Sequence, residues 1–234
     1  MTYAPHLRYN SAVVLTKRLV NKTVGARRRG AALPDGSRER LCAAAAKEFA
    51  ARGFAGASVE RIAAVARVNK AMIYYHFRSK AGLYREILRD MFRAVGARTQ
   101  AVAQSDAAPA EKIGGFIEAI AAEAEARPHF PAIWFREVAE GGAHLDAAVL
   151  RDITGVVQSL GAIVDEGARA GRFERVSPFL VHAGIVAPLM MFFASAGLRP
   201  RLDKAGVKGA AGIDRSQVVE HLRRVALGVL EGRV

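Results

Sequence analysis

Side chains that can hydrogen-bond to nucleic acid are concentrated between residues 70 and 76. Lys70, Tyr74, Tyr75 and His76 offer an ammonium, two phenols and an imidazole within one short stretch. Ile73 lies among them and gives the stretch an apolar back. Such donors grouped on one short helix are typical of a surface that contacts bases and phosphates in the major groove of DNA. The first chemistry that the sequence suggests is therefore the recognition of DNA.

Two short helices are predicted to position these side chains. Ser58 is a favourable N-cap for the first helix, and Asn69 is a favourable cap for the second. The first helix carries an apolar stripe that consists of Val59, Ile62, Ala63 and Ala66. The connection between the two helices is only about four residues long, which is the span of a helix-turn-helix. Residues 58–80 are thus predicted to form this motif.

The motif resembles the DNA-binding domain of the tetracycline-repressor (TetR) family of bacterial transcription regulators. The matching residues are Ile62-Ala63, Ala66-Arg67-Val68-Asn69, Ile73-Tyr74-Tyr75-His76-Phe77, Ser79-Lys80 and Leu83. The resemblance extends over about residues 38–92. The sequence departs from the family pattern at Arg67, where a turn glycine is usual, at Ala71, where glycine is frequent, and at Asn69, where serine is usual. Because non-glycine residues tolerate positive φ poorly, we expect a different or strained turn at Arg67.

The resemblance implies a role for each side chain of the motif. Lys70 and Met72 are expected to contact base edges, while Tyr74, Tyr75 and His76 hold phosphates or sugars. For Tyr74 packing remains an alternative, and for His76 a capping or core role does. Helix N-termini attract phosphate, which favours contacts at Ser58 and Lys80. The predicted DNA-binding set is Ser58, Lys70, Ala71, Met72, Tyr74, Tyr75, His76 and Lys80.

The hydrophobic periodicity predicts an all-α fold of about nine helices without a sheet. The predicted helices are 37–52, 58–65, 69–76, 79–104, 109–126, 128–140, 145–170, 177–197 and 214–232, and residues 198–213 are predicted to be a loop. The first three helices form the helix-turn-helix domain. We predict three regions: a basic, disordered arm (1–36), a DNA-binding domain (37–92), and a larger ligand-binding and dimerisation domain (93–234).

Charge supports this division of the chain. The net charge is +13, and residues 1–36 and 37–90 each contribute +6, so the remainder is nearly neutral. Such an excess indicates a polyanionic partner. The arm could lie along DNA or be a disordered, functionless tail. A transit peptide is a third, less favoured alternative. A single cysteine, Cys42, excludes an intrachain disulfide and favours a cytoplasmic location.

The nearly neutral remainder contains a candidate effector site. Aromatic and methionine side chains with a few polar anchors are the usual lining of a small-molecule pocket. The candidates are Phe116, Phe130, Trp134, Phe135, Glu137, His182, Met190 and Phe193. The alternative is that these residues only fill the core. No metal-ligand spacing, cofactor motif or catalytic motif is found, so no metal, cofactor or enzyme activity is expected.

Two functions remain open from the sequence. One is a repressor that binds a palindromic operator as a homodimer and is released by a small, apolar effector. The resemblance implies a dimer built from helix 145–170 with either 177–197 or 214–232. The other is a membrane-associated or constitutive helical protein that binds anionic lipid or nucleic acid non-specifically, because residues 176–198 carry no formal charge. We favour the repressor, with no membrane partner.

Overall fold

The computed structural model describes residues 36–233, which contain ten α-helices, one short 3-10 helix and no strand. The helices are α1 (Ser37–Gly56), α2 (Val59–Ala66), α3 (Ala71–Phe77), α4 (Lys80–Ala103), α5 (Pro109–Ala126), α6 (Phe130–Ala139), α7 (Ala147–Arg169), α8 (Pro178–Ala194), α9 (Arg199–Lys204) and α10 (Arg215–Leu230). The all-α prediction is confirmed. The arm predicted for residues 1–36 lies outside the described residues, apart from Gly36.

Polar caps start several of these helices. Ser58 accepts hydrogen bonds from the backbone N–H groups of Glu60 and Arg61 and so starts α2. Ser79 accepts from the N–H of Gly82 at the start of α4, and Asp146 caps α7 in the same way. These side chains satisfy N–H groups that have no partner within the helix. The helix starts are therefore fixed by local sequence.

The region 198–213 differs from the predicted loop. It contains α9 and a 3-10 turn at Ala210–Gly212. Pro200 lies in the first turn of α9, where proline is compatible with a helix because its missing N–H has no partner to lose. Gly206 and Gly209 have φ values of 110° and 84°, so the chain leaves the helical region directly after α9.

The first three helices and the start of α4 share one part of the core. The side chains of Leu41 and Phe49 from α1, Ile62 from α2, Ile73 from α3 and Leu83 from α4 are fully buried. Burying an aliphatic or aromatic side chain of this size contributes about 1.5 to 3 kcal/mol. These contacts hold α2 and α3 against α1, and we refer to α1–α3 as the head.

Helix α4 continues from the head into the rest of the molecule, the body. It packs along α7 and α5, and α5 also contacts α8 and α10. An ion pair between the buried ammonium of Lys112 and the partly exposed carboxylate of Glu166, 2.7 Å apart, joins α5 to α7. The predicted domain boundary at residues 92 and 93 falls inside α4 and stays a prediction.

Within residues 36–233, only α7 is long and apolar enough to span a membrane by length and composition. Its Val149, Leu160 and Ile163 side chains lie in the core, and α7 packs against α4, α5 and α8. The uncharged stretch predicted at 176–198 forms α8, whose 17 residues are shorter than the roughly 20 that a span needs. Part of the apolar face of α7 is therefore buried within the bundle.

Candidate nucleic-acid interface and effector cavity

The turn between α2 and α3 is a left-handed cap centred on Arg67. Arg67 has φ 54° and ψ 46°, and its N–H donates to the carbonyl oxygens of Ala63 and Ala64. The N–H of Val68 also donates to the carbonyl of Ala63, at 3.1 Å. The expectation of a strained turn is met, because this conformation costs a non-glycine residue about 1 to 2 kcal/mol. Asn69 accepts from the N–H of Ala71 at 2.8 Å and so supports the start of α3.

Helix α3 has a buried back and an exposed face. Ile73 and Phe77 point into the core, as predicted. Tyr74 and Tyr75 expose 51% and 66% of their surface, so both phenols are available to a partner. Lys70 is also exposed, and its ammonium lies 3.4 Å from the carboxylate of Glu60, which is itself exposed. An exposed pair of this kind contributes little to stability and can be exchanged for a phosphate or a base.

Two of the predicted contacts are less exposed than this face. Met72 is half-buried and packs against the hydrophobic core. His76 is half-buried, and its Nε2 lies 2.9 Å from the hydroxyl oxygen of Ser37 at the start of α1. This hydrogen bond ties the end of α3 to α1. The capping alternative for His76 is therefore favoured over a phosphate contact.

Lys80 and Ser58 are both engaged within the protein. The ammonium of Lys80 donates to the carbonyl oxygens of Phe54, at 2.9 Å, and Ala57, at 3.1 Å, at the end of α1. It also lies 4.6 Å from the centroid of the Phe54 ring. The hydroxyl of Ser58 caps α2 and donates to the carboxylate of Glu60 at 2.8 Å. Their predicted phosphate contacts would compete with these bonds.

The structure adds two arginines that the sequence reasoning did not select. Arg67 directly follows α2, four residues before the start of α3, and Arg78 directly follows α3; both are exposed. Among residues 36–233 no carboxylate lies within ion-pair distance of either guanidinium, so both are free to contact phosphate. Both residues have positive φ, 54° and 66°. In the sequence, this role was indicated by one basic residue before α3 and one after it.

A small cavity in the body collects half of the predicted effector residues. Its volume is about 40 Å³. It is lined by Phe92, Val95, Ile120, Phe130, Trp134, Ile153, Val156, His182, Val186 and Met190. Small-molecule sites usually have about 300 to 1,000 Å³, so a ligand can enter only if the side chains move apart.

His182 is the single titratable side chain of this lining. Burial lowers the pKa of its imidazole below the ordinary value of 6.5, so the ring is neutral at neutral pH. The Phe116 ring lies 6.5 Å from the His182 ring, behind the lining. Sequence reasoning did not select Phe92 and Val95 on α4, because only the fold shows that this part of α4 borders the cavity.

Three predicted effector residues lie elsewhere. Glu137 is fully buried beside Tyr84 and His144, outside the cavity. Phe193 lines a separate groove with Phe192, between the ends of α5, α8 and α10. Phe135 packs against the core without lining the cavity. Since these three residues do not line the cavity, the cavity does not support their predicted contact with an effector.

The chain is similar to known transcription regulators. The sequence profile described as "Bacterial regulatory proteins, tetR family" matches residues 41–87, which span most of α1 through the first part of α4. The HTH-type transcriptional repressor NicS of Pseudomonas putida is 27% identical over 161 residues, covering 68% of this chain and 76% of NicS. Relatives of this kind are regulators rather than enzymes.

Solved structures share the fold. The TetR family transcriptional regulator PfmR from Thermus thermophilus has a TM-score of 0.62 at 21% identity, covering 82% of this chain and 95% of PfmR. The regulator FadR from Bacillus subtilis, solved in complex with stearoyl-CoA, has a TM-score of 0.65 at 15% identity, covering 82% of this chain and 98% of FadR. The likeness extends over head and body alike.

Proposed function

We propose that the chain, which is similar to the tetR family of bacterial regulatory proteins over residues 41–87, is a ligand-responsive, DNA-binding transcription regulator that represses genes from a palindromic operator. In this proposal it binds DNA as a homodimer and is released by a small apolar effector. Its site of action is the cytoplasm, because its target is chromosomal DNA. The observation that carries the proposal is the exposed face of α3 on a helix-turn-helix scaffold.

The side chains proposed to contact DNA are chosen by their exposure on and beside α3. Lys70 and Tyr75 lie on the outward side of α3, where a helix in the major groove meets bases and backbone. Arg67 and Arg78 flank this face with guanidinium groups that suit phosphate. Met72 is half-buried at the edge of the exposed face of α3. There it can make an apolar contact, for example with a thymine methyl group.

The test is selection of a binding site from random duplex DNA, followed by fluorescence anisotropy. Lys70→Ala should change the preferred base and cost about 1 to 3 kcal/mol at the selected site. Arg78→Ala should weaken binding to all DNA sequences alike. It should also lower the slope of log affinity against log salt concentration by about one. Lys208→Ala, an exposed lysine between α9 and α10, is the matched control and should change neither. Failure to enrich any site would contradict the proposal.

Dimerisation through α8 and α10 is supported by exposed apolar side chains. Leu180 and Met191 on α8 expose 69% and 56% of their surface, and Val225 and Val229 on α10 expose 48% and 41%. Leu180, Gly184, Ala187 and Met191 are spaced so that they share one face of α8. The resemblance suggested α7 with either α8 or α10. We propose α8 with α10 instead, because Leu150 is the one large apolar side chain on α7 that is largely exposed. An exposed apolar face of this kind marks an interaction surface.

Light scattering after size-exclusion chromatography tests the dimer. Met191→Glu should yield monomers, because a charge placed in an apolar contact is costly. Val207→Glu, at an exposed position outside these two helices, should leave the dimer intact. A wild-type monomer at micromolar concentration would contradict the proposed dimer.

The effector is proposed to be neutral and apolar at its buried end. The cavity lining contains no charged side chain, and His182 can form one hydrogen bond with a ligand. The neighbour FadR was solved with an acyl-CoA, which also has a long apolar part. Because the cavity must expand to admit a ligand, binding favours a body conformation different from the ligand-free one.

Helix α4 is proposed to transmit this change to the head. Phe92 and Val95 line the cavity, and Lys80, at the other end of the same helix, is bonded to the last residues of α1. A displacement of Phe92 therefore moves the helix that supports the head. Two heads that no longer fit successive grooves bind the operator more weakly, typically by about 5- to 150-fold.

A further inference from the structure

A cluster of possible metal ligands lies where α6 turns toward α7. Glu137 and Glu140 are one helical turn apart at the end of α6, so their side chains share a face. Gly141 and Gly142 follow with φ values of 70° and 76°, and the N–H of Gly142 donates to the carbonyl of Glu137 at 2.8 Å. This tight turn brings His144 back to the two carboxylates.

The distances between the donor atoms suit a metal ion. The Nδ1 atom of His144 lies 3.2 Å from Oε2 of Glu137 and 3.6 Å from Oε2 of Glu140. One oxygen or nitrogen from each of the three residues lies within 4.8 Å of the others. First-row metal ions bind nitrogen and oxygen at about 2.0 to 2.2 Å, which places neighbouring ligands roughly 2.8 to 3.6 Å apart. Little movement is therefore needed to coordinate an ion.

The carboxylate of Glu137 is held in place and lacks a permanent cation. It is fully buried, Oε1 accepts from the backbone N–H of His144 at 2.7 Å, and Oε2 accepts from the hydroxyl of Tyr84 at 2.9 Å. Within residues 36–233, no lysine or arginine nitrogen lies within 4.0 Å of it. Buried carboxylates are normally paired with a cation or bound to a metal. Hydrogen bonds of this kind also orient the carboxylate ligands of metal sites.

We propose that Glu137, Glu140 and His144 bind one divalent first-row metal ion, of which Zn²⁺ is the representative. One imidazole and two carboxylates favour such an ion over Mg²⁺ or Ca²⁺, which prefer oxygen ligands alone. The side chain of Glu140 is 44% exposed, so the ion can enter from solvent and keep water as a further ligand. The spacing Glu-x-x-Glu followed by His four residues later is not a recognised metal motif, which is why the sequence predicted none.

The location gives this site a structural consequence. The His144 ring lies 4.1 Å from the Phe54 ring at the end of α1 and 5.2 Å from the Tyr84 ring of α4, measured between centroids. An ion bound to His144 would fix the α6–α7 turn against both helices and stabilise the contact between body and head. The metal site does not depend on the proposed repressor function.

The test is a competition titration of the metal-free, full-length chain with Zn²⁺ and a chromophoric chelator. We expect one ion per chain, and at least about 10-fold weaker binding in Glu140→Gln and His144→Gln. Glu125→Gln and His129→Gln, which alter a carboxylate and an imidazole outside the cluster, should bind as the wild type does. Glu140→Gln should keep the fold, since its side chain is largely exposed; circular dichroism checks this.

Substitution with Co²⁺ gives an independent readout. Its visible absorption bands should appear on binding to the wild type and be lost in Glu140→Gln. Absence of saturable binding would overturn the proposal, as would binding that Glu140→Gln and His144→Gln leave unchanged. In either case the three groups form only a hydrogen-bonded network around a buried carboxylate.

Discussion

Replacement of Lys80 by methionine should destabilise the head. The change keeps the apolar stem and removes the ammonium that donates to the carbonyl oxygens of Phe54 and Ala57, at 2.9 and 3.1 Å. Phe54 follows the non-helical backbone at Gly53 (φ 69°, ψ 176°) near the end of α1, and Ala57 lies just beyond α1. The sequence had predicted a phosphate contact for Lys80, so this variant separates a structural role from a DNA-binding role.

The magnitude follows from the interactions that are lost. A hydrogen bond from a charged group contributes about 1.5 to 3 kcal/mol. A cation–π contact such as that with Phe54 contributes about 0.5 to 1 kcal/mol. These contributions do not add fully, because water can reach part of the freed carbonyl groups. We expect the free energy of unfolding to fall by about 2 to 3 kcal/mol.

Urea unfolding followed by circular dichroism measures the effect. Lys80→Met should lower the midpoint without a change in slope, because a changed midpoint at constant slope reports stability alone. Lys208→Met is the control and should unfold as the wild type does. The structural role would be refuted if the free energy of unfolding fell by less than about 0.5 kcal/mol, the usual range of a surface substitution, while the salt slope for DNA binding fell by about one. That result would favour the phosphate contact.

Three further substitutions test local features. Arg67→Gly should stabilise the chain by about 1 kcal/mol, because glycine adopts φ 54° without strain, yet weaken DNA binding at all sequences; unchanged stability in urea would contradict the strained turn. Gly82→Ala should destabilise by about 1 to 3 kcal/mol, since a Cβ would lie 2.0 Å from the carbonyl oxygen of Phe77. Gly155→Ala, with open space around it, is the matched control in α7. Because burial lowers the pKa of His182 below 6.5, the unfolded chain binds this proton first as the pH falls. Stability should therefore decline as the pH falls below about 6.5, and less so in His182→Gln; an identical decline in both proteins would contradict a buried, neutral imidazole.

Features set by nearby residues were predictable from the sequence. The N-cap at Ser58, the apolar stripe on α2 and the buried pair Ile73 and Phe77 all depend on contacts within or between adjacent helices. The nine predicted helices all form, since their periodicity and caps are local signals. Only α9 was missed, because proline and glycine can start and end a six-residue helix as well as a loop.

Features that depend on distant contacts were not predictable. Lys80 meets the carbonyl of Phe54 across 26 residues of chain, and no spacing rule relates the two positions. Helix α8 is apolar on every side, so its sequence could not show that Met190 faces the cavity while Met191 faces outward. The cluster of Glu137, Glu140 and His144 depends on a turn that only the fold reveals.

The most direct test of the account is a titration that follows Trp134 and the operator together. Trp134 is the only tryptophan of the chain and lines the cavity, so its fluorescence reports on occupancy of this site. A small apolar compound should change Trp134 emission and weaken operator binding by about 5- to 150-fold over the same concentration range. A compound that saturates the Trp134 signal and leaves operator affinity unchanged would contradict the coupling of cavity to head.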